Sequence, residues 1–230
     1  MSFFTSAPQI NYSFKTLADE DDWKYTKYGY KGLLEGLSRT GQRIGKLSVF
    51  GKVERVSFKG NVHTFLIKSV PGVNNNRKHI FETEVKVGSK NNIEKVGPRI
   101  LAYRYTPFGG EYIMDSVEMG NPNAKVFTFE SVKRQIPLEL VEGVIKDFHR
   151  ITRGMHGDLH GDNILCVQVN GKTYVRIIDY GAFRTFDEIK AKGKPVKKHL
   201  GINAYNLGKG QKFMYNKNHF KRIRQSVYPL

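Results

Sequence analysis

The chain of 230 residues is poor in cysteine and tryptophan, with one of each, and poor in acids beside its bases. Its one cysteine, Cys166, lies in the apolar run Ile164-Leu165-Cys166-Val167, the setting of a small buried thiol, and no catalytic role is expected for it. No uninterrupted apolar run approaches the roughly 20 residues that cross a bilayer, so no transmembrane segment is expected. The start of the chain also lacks the basic flank and long apolar stretch of a signal peptide, and a cytoplasmic location is expected.

Acids number 21 against 38 Lys and Arg, a formal charge of +17. Such an excess attracts polyanions: nucleic acid, nucleotides, acidic proteins or an anionic membrane. It is concentrated near the C-terminus, where Lys190, Lys192, Lys194, Lys197, Lys198, Lys209, Lys212, Lys217, Lys221, Arg222 and Arg224 face almost no acids. A solvated basic face and a polyanion-binding tail both fit that pattern. With 39% hydrophobic and 26% charged residues the composition is globular, and the length suits one domain or two small lobes sharing a cleft.

Residues 1–43 show no sustained period and read as an extension with at most one short helix. From Gly45 onward short runs rich in Val, Phe and Ile take over, Ser48 to Phe58 and His63 to Val70, parted by the turn signal Lys59-Gly60-Asn61. Asn74-Asn75-Asn76 marks a loop, and Lys78 to Val87 reads as a short helix with Phe81, Val85 and Gly88 on one side. Arg99 to Tyr105 and Glu111 to Val117 read as two more strands joined at Pro107-Phe108-Gly109-Gly110.

Pro137 opens a helix whose apolar residues Leu138, Val141, Val144, Ile145 and Phe148 recur at three- and four-residue steps. Two apolar strands, Ile164 to Val169 and Thr173 to Ile178, flank Asn170-Gly171, a strong hairpin signal. A short helix is expected around Phe186 to Lys192.

The chemistry concentrates in two places. His156-Gly157-Asp158-Leu159-His160-Gly161-Asp162-Asn163 fits the pattern H-x-D-x-x-x-x-N, and Ile178-Asp179-Tyr180-Gly181 follows it after the hairpin. Phosphoryl transfer from a nucleotide needs this combination: a carboxylate to orient the acceptor hydroxyl, oxygen ligands for Mg²⁺ and a cation on the phosphates. Taken singly, Asp158 and Asn163 also suit a self-capped Asx turn, and His156 and His160 suit loop histidines with ordinary partners. Zinc held by His156, Asp158, His160 and Asp162 is disfavoured, because alternating loop positions without a Cys cluster make a poor tetrahedral set.

On these residues the chain resembles the protein-kinase-like superfamily, and its loop is closer to those of aminoglycoside phosphotransferases, choline kinases and atypical kinases than to ordinary Ser/Thr kinases. The resemblance implies an α+β, bilobal fold: an antiparallel N-lobe sheet with one helix over residues 44–120, a reduced and mostly helical C-lobe over 121–186, and a basic tail over 187–230. It also implies ATP and Mg²⁺ as cofactors, Asp158 as the catalytic base, Asn163 and Asp179 as metal ligands, and His156 as a brace of the loop. His160 stands where many protein kinases carry a phosphate-contacting lysine.

Upstream, Phe50-Gly51-Lys52-Val53 resembles the end of a glycine-rich phosphate loop, and Lys68 in Ile67-Lys68 resembles the lysine of the next strand. Glu84 is the expected carboxylate partner of Lys68, with Glu82 as the fallback. Glu118 and Met119 fall where the family's hinge would meet adenine.

Two departures stand out. Lys46 and Ser48 occupy the places of the first two loop glycines, and no Ala-Pro-Glu motif or set of C-terminal helices follows Asp179-Tyr180-Gly181. The expected activity is transfer of the ATP γ-phosphate to a protein Ser or Thr hydroxyl, or to a small hydroxyl acceptor, with an activating or completing protein partner. The competing expectation is a pseudokinase or structural protein that binds polyanions through its basic surface. Truncated chains of this kind resemble those of large DNA viruses, which adds host cytoplasm or virion as the location. Thr185 is the one hydroxyl near the start of the segment that would be the activation loop.

Overall fold

The computed structural model describes residues 16–48, 51–73, 77–132 and 135–191. The chain is a mixed α+β protein whose sheets are antiparallel and whose helices are few. Asn74-Asn75-Asn76, Phe50 and the basic tail beyond Ala191 lie outside the described residues.

The largest element is a six-stranded sheet. Its strands are β1 (Lys24–Tyr25), β2 (Leu37–Ser48), β3 (Gly51–Phe58), β4 (Asn61–Pro71), β5 (Ile100–Thr106) and β6 (Gly109–Asp115), in the order β1-β5-β6-β4-β3-β2. The turn expected at Lys59-Gly60-Asn61 is the Lys59–Gly60 turn, where both residues take positive φ and return β3 onto β4. Of the turn expected at Pro107-Phe108-Gly109-Gly110, only Pro107 and Phe108 lie outside the strands.

Strand β2 begins at Leu37, well before the expected Gly45, and β3 begins at Gly51 and not at Ser48. Two register shifts explain why β2 does not read as a strand: they fall between Arg39 and Arg43 and between Ile44 and Ser48. Gly41 and Gly45 lie within them at φ 72° and 69°. Bulges of this kind break the period-two alternation by which a strand is recognised.

Successive residues of a strand face opposite sides, so each face of the sheet needs its own cover. Helix α2 (Lys78–Gly88) covers one, packing Phe81 and Val85 against Val70, Ile100 and Tyr112. The other is covered by the segment before β2. Its 3₁₀ turn at Leu17–Asp19 and its helix α1 (Lys31–Glu35) bury Leu17, Leu33 and Leu34 with Leu37 against Val56, Ile67, Ala102 and Ile113. Each fully buried Leu or Ile contributes about 1.5–3 kcal/mol.

The remaining elements form a smaller assembly around α4 (Leu138–Thr152), entered through β7 (Lys125–Thr128) and α3 (Phe129–Val132). The expected periodicity of α4 is met by buried Val141, Ile145 and Phe148 and by partly buried Val144. Next come β8 (Gly154–Met155), β9 (Ile164–Val169), β10 (Lys172–Ile177), β11 (Arg184–Thr185) and α5 (Phe186–Ala191). Strands β9 and β10 form the hairpin that Asn170-Gly171 predicts, both turn residues having positive φ. Strand β7 was not legible and pairs with the free edge of β9, while β8 pairs with β11. Among the described residues no helix is long and apolar enough to cross a membrane.

Two contacts fasten this assembly to the sheet. Helix α2 packs on the 3₁₀ turn Tyr180–Ala182, where Gly181 leaves room for Ile80. The Val96 carbonyl, in the connection from α2 to β5, accepts a hydrogen bond from the Ile177 amide at 2.7 Å.

Candidate functional site

Lys68 sits on the α2 side of β4, opposite Tyr112 of β6. Its ammonium lies 2.6 Å from Glu84 Oε1 and 3.2 Å from Asp179 Oδ1. The helix turns Glu84 inward because Phe81 and Val85 share its buried side, so the carboxylate is left only 1% exposed. Glu82 points outward and bonds to the Tyr105 hydroxyl at 2.9 Å.

One ammonium between two carboxylates drives their titrations apart. Burial pushes Glu84 up to about 7, and the Asp179 charge adds to this while Lys68 works against it. Burial would also raise Asp179, but the Lys68 charge outweighs it and holds the carboxyl near 2. For Lys68, burial opposes the charge, and Glu84 with Asp179 overcomes it, so the ammonium persists. Asp179 is in the left-handed region at φ 64° and ψ 68°, a conformation costing about 1 kcal/mol that short polar side chains tolerate best.

The loop from His156 to Asn163 is locked to the chain just before Asp179. The Ile178 amide donates to the Asn163 carbonyl at 3.0 Å, and the Ile178 carbonyl lies 2.8 Å from His156 Nε2, a contact only an Nε2–H can make. Burial lowers the His156 pKa, against the Ile178 carbonyl, which favours the charged ring. Gly157, at φ 81°, brings the loop backbone so close to the Ala182 carbonyl that a Cβ would collide with it.

Asn163 is buried, and its Nδ2 lies 2.9 Å from the Asp158 carbonyl and 3.0 Å from His160 Nε2. With the amide protons so used, Oδ1 is the atom left to accept a cation. His160 caps the 3₁₀ turn Gly161–Asn163, its Nδ1 taking the Asp162 amide at 3.3 Å. A neutral imidazole has one acceptor nitrogen, so it satisfies either the Asp162 amide or the Asn163 amide at a time. The Asp158 side chain is 64% exposed, 3.8 Å from His160 Nε2.

Two candidate positions behave differently from expectation. The Glu118 carboxylate forms a bidentate ion pair with Arg55, at 2.5 and 2.6 Å, and is committed to joining β3 to the segment after β6. The Met119 amide is spent on the Ser116 carbonyl at 3.1 Å, and the Glu118 carbonyl on the Asn121 amide at 3.0 Å. Consecutive tight turns with Met119 and Gly120 at positive φ cause this. Among the described residues, the Val117 and Gly120 amides are the donors there with no acceptor. The sequence carries no signal for that shift, because it depends on which amides the turn consumes.

Gly51 has φ 137° and a backbone so close to the Ser69 carbonyl that no side chain fits, and Val53 lies opposite Lys68 in the β3–β4 register. Lys52 is engaged with Glu54 at 2.6 Å, and Glu54 Oε1 also takes the Gly41 amide at 2.8 Å. This carboxylate therefore pins the bulged β2–β3 hairpin. A separate cleft of about 530 Å³ lies on the opposite face of the sheet, lined by Gly51, Ser69, Pro71, Arg104, Phe108 and Glu111, away from Lys68.

Among the described residues no group of three or more His, Cys, Asp or Glu is arranged to hold a metal ion. Asn163 and Asp179 offer a smaller set, one amide oxygen and one low-pKa carboxylate, which suits a hard cation that completes its shell with phosphate and water. An ammonium fixed beside that carboxylate suits a polyphosphate. Compared with protein-family models and with curated proteins, the chain matches none.

Proposed function

We propose that the chain is a protein-kinase-like phosphotransferase that moves the γ-phosphoryl group of ATP to a hydroxyl, with a protein Ser or Thr as the favoured acceptor. The observation that carries this reading is the Lys68 ammonium held between Glu84 and Asp179, with the loop of Asp158 and Asn163 clamped to Asp179 through Ile178. In this reading the six-stranded sheet with α2 is the upper lobe, and the α4 assembly is the lower one.

Asn163 Oδ1 and the Asp179 carboxylate would hold Mg²⁺, which when bound neutralises phosphate charge and orients the phosphates. Lys68 adds a fixed positive charge for the phosphates, held in place by Glu84. Gly51 lets the β2–β3 backbone approach the same groups, and the Val117 and Gly120 amides are the donors available to the base. The exposed Asp158 carboxylate accepts the proton of the acceptor hydroxyl as the hydroxyl oxygen bonds to the γ-phosphorus and the bond to the β-phosphate oxygen breaks, releasing ADP.

Binding tests the nucleotide half directly. Titration calorimetry with a non-hydrolysable ATP analogue should show affinity that depends on Mg²⁺, falls about tenfold or more in Lys68→Met and loses its Mg²⁺ dependence in Asp179→Asn. Equal affinity in all three proteins, with or without Mg²⁺, would refute the assignment.

A further inference from the structure

The second oxygen of Glu84 is also accounted for. Oε2 lies 3.1 Å from the hydroxyl of Tyr112, a residue only 3% exposed. Tyr112 stands directly opposite Lys68 in the β4–β6 register, and the Lys68 ammonium lies 5.8 Å from the centre of its ring. The ring also packs on Phe81 of α2, with centroids 6.0 Å apart.

Packing alone would be served by phenylalanine, since a buried hydroxyl is costly unless it finds a partner. Here the partner is Glu84. The phenol remains a donor, because burial first and the Glu84 charge second hold its pKa well above the ordinary value.

We propose that Tyr112 is the positioning residue of this centre: its buried hydroxyl fixes Oε2 of Glu84 and so aims Oε1 at the Lys68 ammonium. One side chain of the sheet thereby sets both the carboxylate of α2 and the cation beside it. A carboxylate rotates about its last torsion with little restraint, and a ligand on each oxygen removes that freedom. The proposal rests on the phosphotransferase reading for its catalytic consequence, but not for the coupling between Tyr112 and Glu84.

Tyr105 provides an internal control, since its hydroxyl bonds to the other acid of the same helix, Glu82, and its ring packs on the same Phe81. Urea unfolding without nucleotide would be measured for Tyr112→Phe, Glu84→Ala and the double variant, beside the same cycle with Tyr105→Phe. The Tyr112→Phe loss of midpoint should largely disappear in the Glu84→Ala background, while the Tyr105→Phe effect should be unchanged by it.

In turnover, Tyr112→Phe should raise the KM for ATP about tenfold while Tyr105→Phe leaves it unchanged. A smaller folded fraction would lower kcat and leave KM alone, so the KM change isolates positioning. Additive unfolding effects, or an unchanged KM for ATP in an active Tyr112→Phe protein, would overturn the proposal. A wild-type protein inert toward ATP would instead overturn the phosphotransferase reading, and the unfolding cycle would still decide the role of Tyr112.

Discussion

Asp158 and Glu84 show how differently two carboxylates of one site are held. Asp158 is exposed and has little structure resting on its side chain, so Asp158→Ala should lower kcat by about 10²–10⁴-fold while moving the melting temperature little. Transfer rates and thermal melts on the same preparation check this pair of outcomes. The buried histidines have the opposite character. Burial, and then the neighbouring His156, depress His149 from its ordinary 6.5 to about 4. A depressed pKa means that the unfolded chain binds the proton more readily. The stability His149 contributes is therefore complete above pH 6.5 and is lost as pH falls through about 4. His149→Phe should make the decline of melting temperature between pH 7 and pH 4 shallower, leaving a residual slope to which His156, depressed by burial as well, and Glu84, raised to about 7, contribute with opposite signs. An unchanged slope would remove His149 from this account.

At the scale of elements, the close approach of the α2–β5 connection to β10 fixes where Asp179 emerges. A Cβ on Gly97 would collide with the Ile177 carbonyl and the Tyr180 hydroxyl, and the first of these is backbone that cannot rotate away. Gly97→Ala should therefore destabilise the fold by about 1–3 kcal/mol in urea unfolding, and should weaken nucleotide binding, since the displaced turn carries Asp179. Elements whose signal is local were legible in the sequence: α4 from its apolar period, and the β9–β10 hairpin from Asn170-Gly171. Lys68 with Glu84 was legible as well, because Phe81 and Val85 fix which acid of α2 turns inward. What escaped is set by tertiary contact. Strand β7 is four residues long and exists by pairing with β9, β2 is hidden by its bulges, and β1 is two residues held against β5. The role of Tyr112 escaped for the same reason, since its partner is 28 residues away along the chain.

For the whole molecule, the segment before β2 has the unexpected part, because it closes a face of the sheet that the sequence left without a partner. Leu34 is fully buried there, and Glu20 bonds to Arg39 while Arg104 bridges Glu20 and Glu111 across that face. Leu34→Ala should cost about 2–5 kcal/mol in denaturant unfolding, as for other core leucines, and a change under 1 kcal/mol would show that the segment is not part of the core. Tyr28 of the same segment bonds to the Lys90 carbonyl at 2.7 Å and packs against both the sheet core and the α4 core. The segment thus ties sheet, α2–β5 connection and α4 assembly together through a single stretch of chain.

In the proposed function Lys68, Glu84, Asp158, Asn163 and Asp179 act as one phosphoryl-transfer centre. Its most direct test is transfer of labelled γ-phosphate from ATP in the presence of Mg²⁺ to an acidic and a basic generic protein acceptor. Wild type would be run beside Asp158→Ala and Asp179→Ala. Label is expected on an acceptor with wild type, and at least about a hundredfold less with either variant. Equal labelling by all three proteins, or none by folded wild type with any acceptor, would contradict it.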